Sequence, residues 1–140
     1  MGVETKLGQV PLLAGLDART VARLAKHGAR RTYAPGELII RQGDPASALY
    51  IILSGRVVVE REIPGGCENL MEFGPHEFFG EVALIENAPR TVSVRALEET
   101  ECILIVAWEF TALVRESPDV AEVLLKELIR RTSREQHVVC

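Results

Sequence analysis

Glu81 and Arg90 are the charged pair whose spacing and neighbours could do chemistry together. They lie in the stretch Phe79-Gly80-Glu81-Val82-Ala83-Leu84-Ile85-Glu86-Asn87-Ala88-Pro89-Arg90-Thr91. Gly80 and Glu81 open a short apolar run able to form one or two helical turns. The first N–H groups of such a helix lack internal partners, so its start attracts an anion. Gly80 has no Cβ, which lets a ligand approach the main chain. Pro89 stiffens the exit, and Arg90 offers a planar, always-charged fork suited to phosphate oxygens. Glu81 would repel phosphate alone. Its carboxylate makes sense if the same ligand also offers a hydroxyl, and acid, helix start and arginine together describe a nucleotide site. The plainer alternative is a β-helix-β connection in which Glu81 and Arg90 form a surface ion pair.

The order and spacing resemble the phosphate-binding cassette of cyclic nucleotide-binding domains, the family of catabolite-activator-type regulators, cyclic-nucleotide-dependent kinases and gated channels. The family pattern is Phe-Gly-Glu, a small apolar helix, then Pro-Arg-Thr/Ser/Ala and a strand. Here Phe79-Gly80-Glu81 runs through Pro89-Arg90-Thr91 into Val92-Ser93-Val94. Pro35-Gly36-Glu37, Gly43-Asp44, Leu49-Tyr50-Ile51-Ile52 and Ser54-Gly55 resemble the first strands of the family's β-roll, so the likeness covers roughly residues 11–137. Two positions depart from the pattern. His76 stands where the family commonly has glycine and is expected in a turn, at some cost if φ is positive. Val92 is bulkier than the small residue often found there.

The resemblance implies a ligand, cAMP or cGMP, whose cyclic phosphate sits on the N–H groups of Gly80, Glu81, Val82 and Ala83 and pairs with Arg90. Glu81 would hold the ribose 2′-hydroxyl, and Thr91 would offer its hydroxyl to phosphate or base. Val59 and Leu70 would pack against the purine. The last helix would fold over the base as a lid, with Arg131, Glu135 and Gln136 as candidate base contacts. Movement of the cassette and the two C-terminal helices would carry the signal to a downstream protein that the sequence does not name. Neither cofactor, metal nor catalytic residue is expected.

The elements that must position these residues follow from pattern. Leu16-Asp17 reads as a staple and an N-cap, Val21, Leu24 and Ala25 recur at helical spacing, and Gly28 supplies the stop. From Arg31 the period changes to two. Strands are predicted over 37–41, 48–53, 56–61, 67–73, 92–96 and 102–107, punctuated by Gly and Pro. Glu98-Glu99-Thr100-Glu101 reads as a solvated turn. A helix begins at Trp108 and ends before Pro118; Ser117-Pro118-Asp119 starts another, with Ala121, Leu124, Leu125 and Leu128 as its apolar face. Arg130 to His137 reads as a solvated helix end. The predicted fold is mainly β with flanking helices: a double-stranded, jelly-roll-like β-roll with an N-terminal helix and two C-terminal helices. The expected organisation is one domain over 1–140: a helical segment at 1–30, the roll at 31–107 with the cassette at 79–91, and helices and lid at 108–140.

Bulk properties narrow the function. A chain of 140 residues suits one domain with a real core. Its net charge of −4 argues against a general nucleic-acid surface. No run of about 18 apolar residues is present to span a membrane. Met1 to Lys6 lacks the regions of a signal peptide, and Lys6 stands where a myristoylation motif wants Ser or Thr. Cys67, Cys102 and Cys140 are odd in number and widely spaced, which implies neither a disulfide framework nor a metal cluster. The reading is a reduced cytoplasmic protein, monomer or weak dimer, without room for a helix-turn-helix after the last helix. Two other classes are weighed. A cupin-like metal enzyme needs clustered imidazole and carboxylate ligands, and His27, His76 and His137 fall on a helix end, a turn and a polar tail. A degenerate roll that binds only protein would release Glu81 and Arg90 from their roles, and both are present.

Overall fold

Period-two alternation sets the architecture. The computed structural model describes residues 2–86 and 88–140; the side chains of Glu4, Val82, Ile85 and Glu86, like Met1 and Asn87 altogether, lie outside that description. The elements in chain order are α1 (Val3–Gly8), a 3-10 turn (Pro11–Leu13), α2 (Ala18–His27), β1 (Ala29–Tyr33), β2 (Leu38–Ile40), β3 (Ala48–Ser54), β4 (Val57–Ile63) and β5 (Gly66–Phe73). They continue with β6 (Phe78–Phe79), α3 (Glu81–Glu86), β7 (Ser93–Ala96), β8 (Thr100–Val106), α4 (Ala107–Glu116), α5 (Pro118–Arg134) and β9 (Val138–Val139). One sheet has the order β1-β8-β3-β6 and the other β2-β7-β4-β5-β9, all paired antiparallel. This is the predicted β-roll with flanking helices.

Two cores share one wall. Successive side chains of a strand point to opposite faces. Leu49, Ile51 and Leu53 of β3, with Ile103 and Ile105 of β8, therefore pack under the helices against Leu7, Leu24, Phe110 and Leu124. Tyr50 and Ile52 of β3, with Cys102 and Leu104 of β8, face the other sheet and meet Val57, Val59, Leu70 and Val94. Burial on both faces explains why β3 and β8 read as continuous apolar runs.

Local choices agree with this frame. Asp17 caps α2, its carboxylate accepting from the Thr20 N–H at 2.7 Å. Ser117 caps α5, with Pro118 in its first turn. Gly28 ends α2 with φ −70°, so its need is for space: an added Cβ would come within 2.6 Å of the Ile103 side chain. His76 has φ 72° in the turn before β6, the left-handed backbone its position implied.

Several expectations change. α1 and the 3-10 turn have no side-chain cap, which is why pattern missed them. Burial creates them: Leu7, Val10, Leu12 and Leu13 are fully buried, each contributing about 1.5–3 kcal/mol, more than the ~1 kcal/mol a missing cap costs. Thr100 and Glu101 belong to β8 and not to a turn; Thr100 is wholly buried and donates its hydroxyl to Glu98 O at 2.9 Å. The buried stripe of α5 is Val120, Leu124 and Arg131 with Leu128 partly covered, whereas Leu125 is 60% exposed and does not cover the body. Cys67 and Cys140 are joined by a disulfide, which removes the cysteine argument for a reduced chain. Among the described residues, no helix is long and apolar enough to cross a membrane.

Candidate functional site

The start of α3 is built by three neighbours. Phe78 and Phe79 of β6 point to opposite cores, and Phe79 stacks on Tyr50 with ring centroids 5.0 Å apart. Gly80 then takes φ 90°, a conformation glycine adopts freely, and a Cβ there would lie 2.9 Å from the Arg90 guanidinium. The glycine thus makes room for an arginine, beyond any room it leaves for a ligand. Glu81, the first residue of α3, is 5% exposed.

Arg90 is fixed at both levels. Its main chain is clamped to the β2–β3 loop, Gly43 N donating to Arg90 O at 2.8 Å and Arg90 N donating to Asp44 O at 2.9 Å. This gives Gly43-Asp44 a structural reason. Its side chain, 6% exposed, donates from Nη1 to Gly80 O at 2.6 Å and from Nη2 to Ala48 O at 2.8 Å. Burial lowers the Arg90 pKa, opposed by Tyr50 and Glu81, yet a guanidinium stays charged. Of its five N–H donors, three have no hydrogen-bond partner among the described residues.

Glu81 is met from the far end of the chain. Arg131 of α5 donates from Nη1 to Glu81 Oε1 at 2.9 Å and from Nη2 to Phe78 O at 2.5 Å, and its guanidinium lies 4.2 Å and 4.3 Å from the ring centroids of Phe73 and Phe78. Burial lowers its pKa, against the pull of Glu81, Glu127 and Glu77. Its Nε has no hydrogen-bond partner among the described residues. The surface ion pair between Glu81 and Arg90 is not the arrangement found: both are buried, and Glu81 pairs with Arg131.

These groups line one cavity of about 270 Å³. Its apolar side includes Val59, Leu70 and Val94, its polar edge Gly80, Glu81, Arg90 and Thr91, and its roof Leu128, Arg131, Thr132 and Glu135. Ala83 also lines it, while the Val82 side chain lies outside the described residues. Gln136 does not line it; its N–H bonds Leu70 O at 2.8 Å, and the residue borders a second pocket together with Arg56, Asn69 and Arg134. Thr132 was not singled out in the sequence. Its one signal is helical spacing, one turn beyond Leu128, and its hydroxyl bonds Leu128 O. Arg131 breaks the rule that a polar run is solvated, because it continues the buried stripe of Val120, Leu124 and Leu128.

A family description, the cyclic nucleotide-binding domain, matches residues 30–117. The chain belongs to that family. The cyclic AMP receptor protein of Thermus thermophilus is 38% identical over 122 residues, covering 86% of this chain and 56% of the relative. The crystal structure of Thermus thermophilus catabolite activator protein shares 37% identity at a TM-score of 0.75, over 88% of this chain and 58% of that one. A regulatory subunit of a cAMP-independent protein kinase A from Trypanosoma brucei reaches a TM-score of 0.79 at 29% identity, over 88% and 44%. This cyclic nucleotide-binding domain spans little more than half the length of the curated relatives it resembles. In it, α5 closes the cavity through Arg131, whose partners are Glu81 at the start of α3 and Phe78 of β6.

Proposed function

We propose that the chain is a cyclic-nucleotide sensor with no chemistry of its own, taking cAMP or cGMP into the cavity under α5. The observation that carries this is the buried Arg90, held by two carbonyls with donors to spare, on the same cavity as Glu81. The cyclic phosphate pairs with the free donors of Arg90 and with the N–H groups from Gly80 to Ala83. The ribose 2′-hydroxyl donates to Glu81, which keeps one oxygen beyond the one held by Arg131. The purine packs on Val59 and Leu70 beneath Leu128, Arg131 and Thr132, and Thr91 serves the phosphate or the base. The cavity volume is near the lower end of the about 300–1,000 Å³ usual for small-molecule sites.

The relatives named above support a regulatory part over an enzymatic one. Binding moves α5, because the hydroxyl and Arg131 meet on one carboxylate, and that movement is the output to a partner protein. Calorimetric titration of ligand-free protein with cAMP and cGMP tests the reading. Saturable one-to-one binding of either is expected; absence of heat and of any thermal shift with both overturns it.

A further inference from the structure

We propose that the Cys67–Cys140 disulfide is a redox latch that holds α5 closed over the cavity, so that its reduction by a dithiol speeds ligand exchange. Only the identity of the ligand rests on the nucleotide reading. Cys67 lies near the start of β5 and Cys140 just beyond β9, with Cα atoms 5.4 Å apart and 73 positions between them in sequence. β5 also supplies Leu70 to the cavity wall, and the tail donates from Gln136 N to Leu70 O. The bridge therefore ties the segment just after the roof to the strand that forms the wall.

The other ties of that segment lie at the surface, among them His137 Nδ1 to Glu68 Oε1 at 3.3 Å and Arg134 Nη2 to Glu72 O at 3.3 Å. β9 is two residues long, pairing Val139 with Glu68 and Val138 with Asn69, and Val138 and Val139 are 52% and 77% exposed. Cys140 N donates to Cys67 O at 3.0 Å, and Arg134 reaches Glu77 at 3.4 Å. So short a strand with exposed side chains frays without a cross-link. Arg131 stands a short run before Cys140, so a tethered tail limits how far it can leave Glu81. Cys67 is half-buried and Cys140 exposed, open to a reductant. Cys102, the remaining cysteine, is fully buried with its thiol pushed up to about 12, mainly by burial, and offers no thiolate to compete.

The chemistry balances. A thiolate of the dithiol attacks Cys140 Sγ, the S–S bond breaks, and Cys67 leaves as a thiolate that takes up a proton. The reductant's second thiol then displaces Cys140, forming the reductant's own disulfide. The protein gains two electrons and two protons.

The test is release of a fluorescent cAMP analogue from the full chain by stopped flow, oxidised against dithiothreitol-reduced. Reduction should speed release about tenfold and leave association within about twofold. Cys67→Ser and Cys140→Ser should release at the reduced rate in either buffer, and Cys102→Ser should keep the redox response. Equal release from oxidised and reduced protein overturns the latch. If the analogue binds in neither state, the nucleotide reading fails, and amide exchange at 131–140 decides the latch by itself. Faster exchange on reduction supports it; unchanged exchange overturns it.

Discussion

Arg131 of α5 bonds Glu81 of α3 at 2.9 Å across 50 positions of sequence, and both side chains are more than nine-tenths buried. The last long helix is thereby tied to the residue read as the ribose contact. On the proposed nucleotide reading, ligand affinity and helix position become two readings of one carboxylate.

Breaking this pair from one side leaves a buried charge alone. Arg131→Met should cost about 3 kcal/mol of stability in urea unfolding, the usual range for a half-removed buried pair. Adding Glu81→Gln should recover much of that loss, since the neutral amide no longer needs a cation. A single mutant as stable as the wild type would show that the pair does not hold α5.

Arg90→Leu should weaken cAMP binding by about 2–5 kcal/mol, about 30- to several-thousand-fold in calorimetry. It also removes hydrogen bonds to Gly80 O and Ala48 O, so some loss of stability accompanies it. Arg90→Lys separates the effects, restoring charge without the fork. Wild-type affinity in the leucine variant would remove Arg90 from the phosphate.

Thr91 lies on the cavity edge with its residue exposed, free to turn toward phosphate or base. Thr91→Ala should weaken cGMP more than cAMP by about 0.5–1.5 kcal/mol, one neutral hydrogen bond. Equal losses would give the hydroxyl to the phosphate alone.

Much of this was legible because each segment's period agrees with its place. Gly80-Glu81 and Arg90-Thr91 could be found because a positive-φ glycine, a helix start and a clamped arginine need particular residues at fixed spacing. The roof was less legible. Arg131 looks solvated until the stripe through Val120, Leu124 and Leu128 is followed one turn further. The Cys67–Cys140 bridge left no local sign, because 73 positions of separation carry no period. α1 was hidden because tertiary burial creates it, with no cap to announce it.

Alkaline pH should expose the inter-sheet core. Burial pushes the Cys102 thiol from 9.0 up to about 12 and, as the largest cause, the Tyr33 phenol from 10.0 up to about 12. Between about pH 9 and 12 the folded chain keeps protons that the unfolded chain loses, so stability, full below pH 9, falls as pH rises. Thermal melts from pH 8 to 11 should drop above pH 9, and Tyr33→Phe should flatten the part above pH 10. Iodoacetamide at pH 8 should label Cys102 only in denaturant.

The strand order also dictates a timetable. β4 and β5 meet through a tight turn at Pro64 and Gly65, but Ala29 of β1 must find Leu104 of β8, and Leu38 of β2 must find Arg95 of β7. Such non-local pairing belongs to chains that fold in milliseconds to seconds. On a ribosome adding about 5–20 residues per second, the β4–β5 wall exists first, Arg90 arrives next, and Arg131 follows roughly 2–8 s later. Until then Glu81 has no cation above it, and the nascent cavity stands open to water.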